Sequence, residues 1–509
     1  MPAGPACGND GARANWGAKM GYDKGRTTCV EGWTRRLAAV LTLMAGAALL
    51  TGCLGIKPRL VEGRTCNFDR YALSTFTPIN TKGLARGLPG KFGESPPDAL
   101  MQDPSAPKSL RQELIGRLSA TSQPATGPAR YDRSLLFLSG GSLHGAFGAG
   151  YLAEWKKNRK ALPRYRVVTG ISTGAILGSF AFADMPEIAA EAYAITSEGR
   201  LLKRLIGFRD GDPTFFGNFA LVKRGAVGDL DPLRSYLDEK LSDEVMAAVA
   251  QGYDDKRRFY VGVVDVDTGQ ALALDMTEMA HRWQVAAKGK DEAGTHRFKS
   301  CYVDAIIASS SAPMAALPVF IDNRMYVDGG MRFGAFSEEI GQILPPLSDK
   351  PALLKTVPKD LAIYLIVNGY QTVPSKCGRA SKDDCKKSLD VKGGEDWPNS
   401  NARHRKWKFI ELALRSESIL ANQVYRFSAE SLYYKALFND VAFTYAQIGD
   451  EALDHTWPGD AAFPREMTCR EAKQLDKAEG DPVQFFPRYM HCIIDYGRMR
   501  ARQDFPRAG

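Results

Sequence analysis

No C-x-x-C pair and no histidine cluster at metal-ligand spacing occurs in this chain, so nothing in it reads as a metal site. It has no internal repeat, no basic arm and no nucleic-acid motif, which removes repeat architectures and nucleic-acid binding. Lysine and arginine are spread along the chain rather than gathered in blocks. The apolar run Leu37 to Leu50 is too short for a comfortable membrane span. What is present is the composition of a globular enzyme: 509 residues, 44% hydrophobic and 25% charged, with net charge +9. A basic surface suits anionic lipid head groups and equally serves solubility.

Arg35 and Arg36 precede the apolar run, which ends in Leu50-Thr-Gly-Cys53. A basic region, a short apolar core and small residues before the cut describe a secretory signal peptide. Leu-Thr-Gly-Cys is similar to a bacterial lipobox, which implies a leader of residues 1–52 and lipidation of Cys53. The expectation is an exported, membrane-anchored lipoprotein of a bacterial cell envelope, at the outer membrane or the periplasmic face. An ordinary signal peptide or an uncleaved anchor is the alternative. The stretch before Arg35 is long for such a leader, so Met20 is a second candidate start. Six cysteines follow Cys53, an even number suited to disulfides in an oxidising compartment. Cys377 and Cys385 bracket a polar loop and are the first expected pair; Cys469 and Cys492 share the C-terminal tail and are the second. Cys66 pairs with Cys301 or leaves it a buried thiol.

Residues 53–130 lack a pattern and read as tether and surface wrap. The catalytic domain is expected over 131–370 and a mostly helical extension over 371–509. Phe259 to Leu274 reads as two strands around an Asp-Thr-Gly turn, and Leu361 to Val367 as a buried strand. Trp407, Ile410, Leu412, Leu414, Ile419, Leu420, Val424, Phe427 and Leu432 follow a helical period and read as core rather than cofactor contacts. Strands alternating with helices predict an α/β fold with a mainly parallel central sheet between helical layers.

Three segments carry chemistry. Gly170-Ile-Ser-Thr-Gly174 follows the apolar run Tyr165 to Val168 and precedes a helix of small residues. Strand, sharp turn and helix are the setting of a nucleophile elbow, with Ser172 as the exposed hydroxyl. Leu135 to Gly150 runs from an apolar strand into a glycine-rich turn whose free amides suit an oxyanion or a phosphate. Met325-Tyr-Val-Asp-Gly-Gly330 ends a strand in a carboxylate, Asp328.

In that order, with Ala305 to Pro318 and Gly228 to Leu233 as supporting segments, these residues resemble the patatin-like phospholipase family over about residues 131–370. The resemblance implies a three-layer α/β/α fold. It also implies a Ser–Asp dyad of Ser172 as nucleophile and Asp328 as base, with neither cofactor nor metal. The oxyanion hole would be Gly140, Gly141 and Ser142, and the remaining motif glycines Gly145, Gly170, Gly174, Gly329 and Gly330. The implied activity is cleavage of carboxylic esters of phospholipids or related lipids through an acyl-enzyme.

Two positions depart from the family loop: Ser142 stands where a third glycine is usual, and His144 where an arginine is usual. With negative φ, Ser142 leaves the donors intact; with positive φ, the loop is strained. Leu201 to Val227 mixes Lys203, Arg204, Lys223 and Arg224 with Phe208, Phe215, Phe216 and Phe219, and reads as an acyl pocket or lid, or as a plain layer with solvated charges. Two further classes stay open. One is a Ser-His-Asp hydrolase using His404, His455 or His491, which follow Asp328. The other is a catalytically weak lipid-binding or envelope-scaffold protein. Oligomeric state and lipid class are not set by the sequence.

Overall fold

The computed structural model describes residues 63–75, 133–209, 212–213, 225–336, 361–369, 409–480 and 482–505. Their frame is a nine-stranded sheet. Its strands are β1 (Ala72–Ser74), β2 (Arg133–Leu138), β3 (Val167–Ile171), β4 (Arg258–Asp265), β5 (Ala271–Asp275), β6 (Val319–Ile321), β7 (Arg324–Asp328), β8 (Leu361–Val367) and β9 (Ala442–Gln447). The main order is β1-β5-β4-β3-β2-β8-β9. The run from β4 to β9 is parallel, and β5, β1, β7 and β6 join it antiparallel. Leu135 to Leu138 and all of β3 are buried, as strands covered by helices on both faces must be. Each such large side chain contributes about 1.5–3 kcal/mol by leaving water.

One register relation places the chemistry. β3 is parallel to β4, and its last residue, Ile171, pairs with Gly262. β7 is antiparallel to β4, and its last residue, Asp328, pairs with Val263. The C-terminal ends of β3 and β7 therefore meet head to head on successive residues of β4.

Five helices frame the site: α1 (Gly145–Arg159), α2 (Thr173–Phe182), α3 (Glu292–Ser310), α4 (Phe409–Phe438) and α5 (Pro487–Asp504). The end of α3 ties both strand ends. Ser309 Oγ donates to the Gly262 carbonyl at 2.6 Å and accepts from the Ser172 amide at 2.9 Å. The Asp328 amide donates to the Ser311 carbonyl at 3.0 Å.

Three expectations need correction. Residues 63–75 are not tether. β1 extends the sheet, Phe68 and Tyr71 are buried, and Cys66 forms a disulfide with Cys301 on α3. The Asp322 carboxylate accepts from the amides of Cys66, Asn67 and Phe68 at 2.8, 3.0 and 2.6 Å. The boundary at 370 separates no compact bodies, because everything described after Val61 is one unit. β9 pairs with β8, and α5 packs on α1 through a Tyr151–Asp504 hydrogen bond of 2.8 Å and a Trp155–Phe505 stack at 4.1 Å. On α4, Leu432 is buried, but Leu412, Ile419, Leu420 and Phe427 are exposed rather than core. Periodicity finds the helix; it cannot say which of two apolar stripes meets the protein.

Cys469 and Cys492 are joined as a disulfide. Residues 1–52, Cys53 and the Cys377–Cys385 pair lie outside the described residues.

Candidate active site

Ser172 follows β3 with φ 56° and ψ −124°, a region that costs a residue with a side chain on the order of 1–3 kcal/mol. Tight packing holds it there. A Cβ on Gly170 would stand 2.2 Å from the Gly174 carbonyl oxygen, and one on Gly174 2.2 Å from that of Leu138. Only glycines let β3, the elbow and β2 approach so closely. Thr173 opens α2 and hydrogen-bonds the Tyr193 hydroxyl, against which Gly145 also packs.

The glycine-rich turn lies beside it. Gly141 has φ 151°, and a Cβ there would stand 2.5 Å from the Asn368 backbone. Asn368 pins the turn: its amide and side chain bind Ser139 at 2.9 Å each, and its Oδ1 accepts from the Gly148 amide at 3.1 Å. Among the described residues no carbonyl accepts from the amides of Gly140, Gly141 or Ser142. Ser142 has φ 53°, so the departure from glycine falls where a side chain is strained. Its hydroxyl accepts from Gln484 Nε2 at 2.8 Å. Gln484 is positioned in turn by Glu198, whose carboxylate accepts from the amides of Val483, Gln484 and Phe485 at 3.0, 2.7 and 3.0 Å.

His144 does not stand in for an arginine. Burial, aided by Lys473, lowers its pKa to about 3, so it is neutral, and it meets the Tyr489 ring edge-on at 5.9 Å.

Asp328 is buried, its carboxylate accepts from the Gly330 amide at 2.7 Å, and it lines the same cavity as Ser172. Burial raises its pKa to about 7 against the lowering effect of the Ser172 hydroxyl and the Gly330 amide, and the Glu417 charge raises it further.

Both groups open on one cavity, whose empty space, including a part open to solvent, is about 960 Å³. Its deep wall is apolar: Ile176, Leu201, Leu230, Leu233, Leu237 and Phe485. Leu230 and Leu233 come from the supporting segment Gly228 to Leu233. Leu201 is the one side chain of the Leu201–Val227 stretch that lines the cavity among the described residues; Phe215, Phe216, Phe219, Lys223 and Arg224 lie outside them. No described histidine lines it. His455 binds Asp495 at 2.9 Å, His491 binds Asp460 at 2.5 Å, and His404 lies outside the described residues.

The remaining wall is α4, through Glu417, Ala421 and Tyr425. Tyr425 sits in a glycine cradle: a Cβ on Gly140, Gly334 or Gly369 would stand 2.6, 2.7 or 2.7 Å from it. Burial, with the charges of Asp328 and Glu417, raises its phenol. Sequence reasoning missed Tyr425, Glu417, Gln484 and Asn368. The available signal was the spacing of Glu417, Ala421 and Tyr425, which puts two polar groups and a small one on a single helix face.

Residues 136–336 match the family model described as patatin-like phospholipase. The comparison with curated proteins gives no match. Among solved structures, VipD from Legionella pneumophila is similar at 11% identity over 60% of this chain and 68% of that one, with a TM-score of 0.24. Motif order, the α/β sheet and the family match agree: residues 136–336 form a patatin-like phospholipase domain.

Proposed function

We propose that the chain is a lipid acyl hydrolase working through Ser172 and Asp328, without a histidine between them. The observation that carries this is the buried Asp328 carboxyl, raised to about 7, on one cavity with a hydroxyl at a strained elbow. A serine hydroxyl is a poor nucleophile until a neighbour takes its proton. Asp328 takes that proton as Ser172 Oγ bonds to the ester carbon, and returns it to the departing alcohol. The amides of Gly140, Gly141 and Ser142 face the developing oxyanion, each well-placed donor worth about 3–4 kcal/mol. Water, deprotonated by Asp328, then releases the fatty acid and frees Ser172. The acyl chain lies along Ile176, Leu230 and Leu237, an apolar wall that favours lipid esters over polar ones.

The neutral His144 supplies no cation for a phosphate, which favours neutral or zwitterionic lipids over anionic ones. Phospholipids, lysophospholipids and acylglycerols are all within this reading. Membrane anchorage through a lipidated Cys53 is part of the same proposal and rests on the lipobox-like Leu50-Thr-Gly-Cys53.

The test is fatty-acid release from a defined lipid panel by the wild type and Ser172→Ala. Release by the wild type, falling several orders of magnitude in the variant, is expected. No release from any lipid or short-chain ester by the wild type would point to a binding or scaffold protein instead.

A further inference from the structure

We propose that the outer face of α4 is a docking surface for a lipid bilayer, from which acyl chains pass into the adjoining cavity; this rests on the reading of the site as a lipid hydrolase. Eleven large apolar side chains are exposed among the described residues, and eight of them lie on α4. Leu412, Ile419, Leu420 and Phe427 recur at sevens and eights, and Leu437 and Phe438 follow Phe427 by ten and eleven, which keeps all six on one side of the helix. Leu420 is 67% exposed and Phe427 63%. The opposite side carries Ala429, Leu432 and Ala436 into the core and Glu417, Ala421 and Tyr425 onto the cavity. A soluble protein rarely leaves such a stripe to water without a use for it.

The position of the stripe identifies its occupant. A ninth exposed apolar side chain, Met331, lies in the turn after Asp328, packs beside α4 and lines the cavity. The apolar stripe and the mouth of the apolar cavity are thus continuous. A bilayer resting on α4 would bring acyl chains to Met331, whereas a second copy of the chain seated there would lie across the mouth. The charges agree. Arg415 and Arg426 stand eleven residues apart, near one edge of the stripe, where basic side chains reach head groups while their stems cover apolar surface. Glu430, within the stripe, pairs with Arg426 at 3.4 Å. Contact is therefore mainly apolar, with a small cationic component.

The experiment measures sedimentation of the full chain with vesicles of phosphatidylcholine, alone or mixed with phosphatidylglycerol. Cys53→Ser is included to remove any acyl anchor, and Ser172→Ala to prevent turnover. Binding should fall at least about tenfold with Leu420→Ser/Phe427→Ser, and again with the separate pair Leu412→Ser/Leu437→Ser, because interfacial affinity scales with buried apolar area. A thermal melt matching the parent's separates lost docking from lost folding, and two pairs at different points of the stripe keep the test alive if one fails to fold. Equal binding by parent and folded variants overturns the proposal. So does a parent that is dimeric, ignores vesicles and becomes monomeric with Leu420→Ser/Phe427→Ser, since a second copy would then cover the face. Failure of the hydrolase reading appears separately, as absent ester cleavage by the chain with Ser172 intact.

Discussion

Burial of Asp328 has opposite consequences for rate and for stability. As the proposed base it must be ionised, so kcat/KM should rise with pH through about 7 and level off above it. Asp328→Asn should abolish that limb and lower the rate about 10²–10⁴-fold. Its folded pKa lies above the ordinary 3.8, so the native state binds the extra proton. The stabilisation is complete below the unfolded value and is lost as pH rises through about 7. Asp328→Asn keeps a neutral group there and should therefore be more stable than the wild type at pH 8, by on the order of 1–4 kcal/mol, and about equal at pH 4. Urea unfolding at the two pH values measures this, and a difference that does not change with pH would refute it. Ser142 poses a second balance. Replacing it with glycine relieves a left-handed serine, worth about 1 kcal/mol, and gives up the Gln484 bond, worth a similar amount. Ser142→Gly alone should change stability little, yet in a Gln484→Ala background it should stabilise by about 1 kcal/mol. A gain no larger in that background would mean that Gln484 does not hold the serine in place.

At the scale of elements, α4 brings a charge to bear on Asp328, the proposed base. The Glu417 charge raises Asp328, so Glu417→Gln should shift the ascending limb of the pH–rate profile to lower pH. An unmoved limb would place Glu417 outside electrostatic reach of the site. The segment leading into β1 is held to α3 by Cys66–Cys301, which closes a separation of 235 residues. Cys66→Ser/Cys301→Ser should cost about 2–5 kcal/mol in denaturant unfolding. What the sequence revealed follows the range of the interactions. The strand-and-turn settings of Ser172 and Asp328 were legible because each is a local pattern. Phe259 to Leu274 and Leu361 to Val367 were legible because strand pattern is local too. Tyr425, Gln484 and Asn368 were not, since each is brought to the site by packing between segments far apart in the chain. Leu420 and Phe427 were misread because an apolar residue at helical spacing carries no mark of which side the protein covers.

On the scale of the whole molecule, the described residues after Val61 are one compact unit, so chemistry and C-terminal segment should unfold together in a single transition. Ahead of that unit, Cys53→Ser should release the chain from the membrane fraction in high salt. Retention through the wash would leave α4 as the stronger attachment. The head-to-head meeting of β3 and β7 has a last consequence. Gly262 and Val263 act as a ruler: Asp328 and the strand end just before Ser172, the proposed base and nucleophile, are spaced by one peptide unit of β4, not by the length of chain that separates them in sequence. The intervening chain could then be lengthened, cut or circularly permuted at an exposed turn such as Asp267 to Gly269 with the pair still in place. One residue inserted between Gly262 and Val263 would instead move the two apart by about 3.3 Å and turn the far half of β4 over. The permuted enzyme should retain activity, and the insertion should lose it.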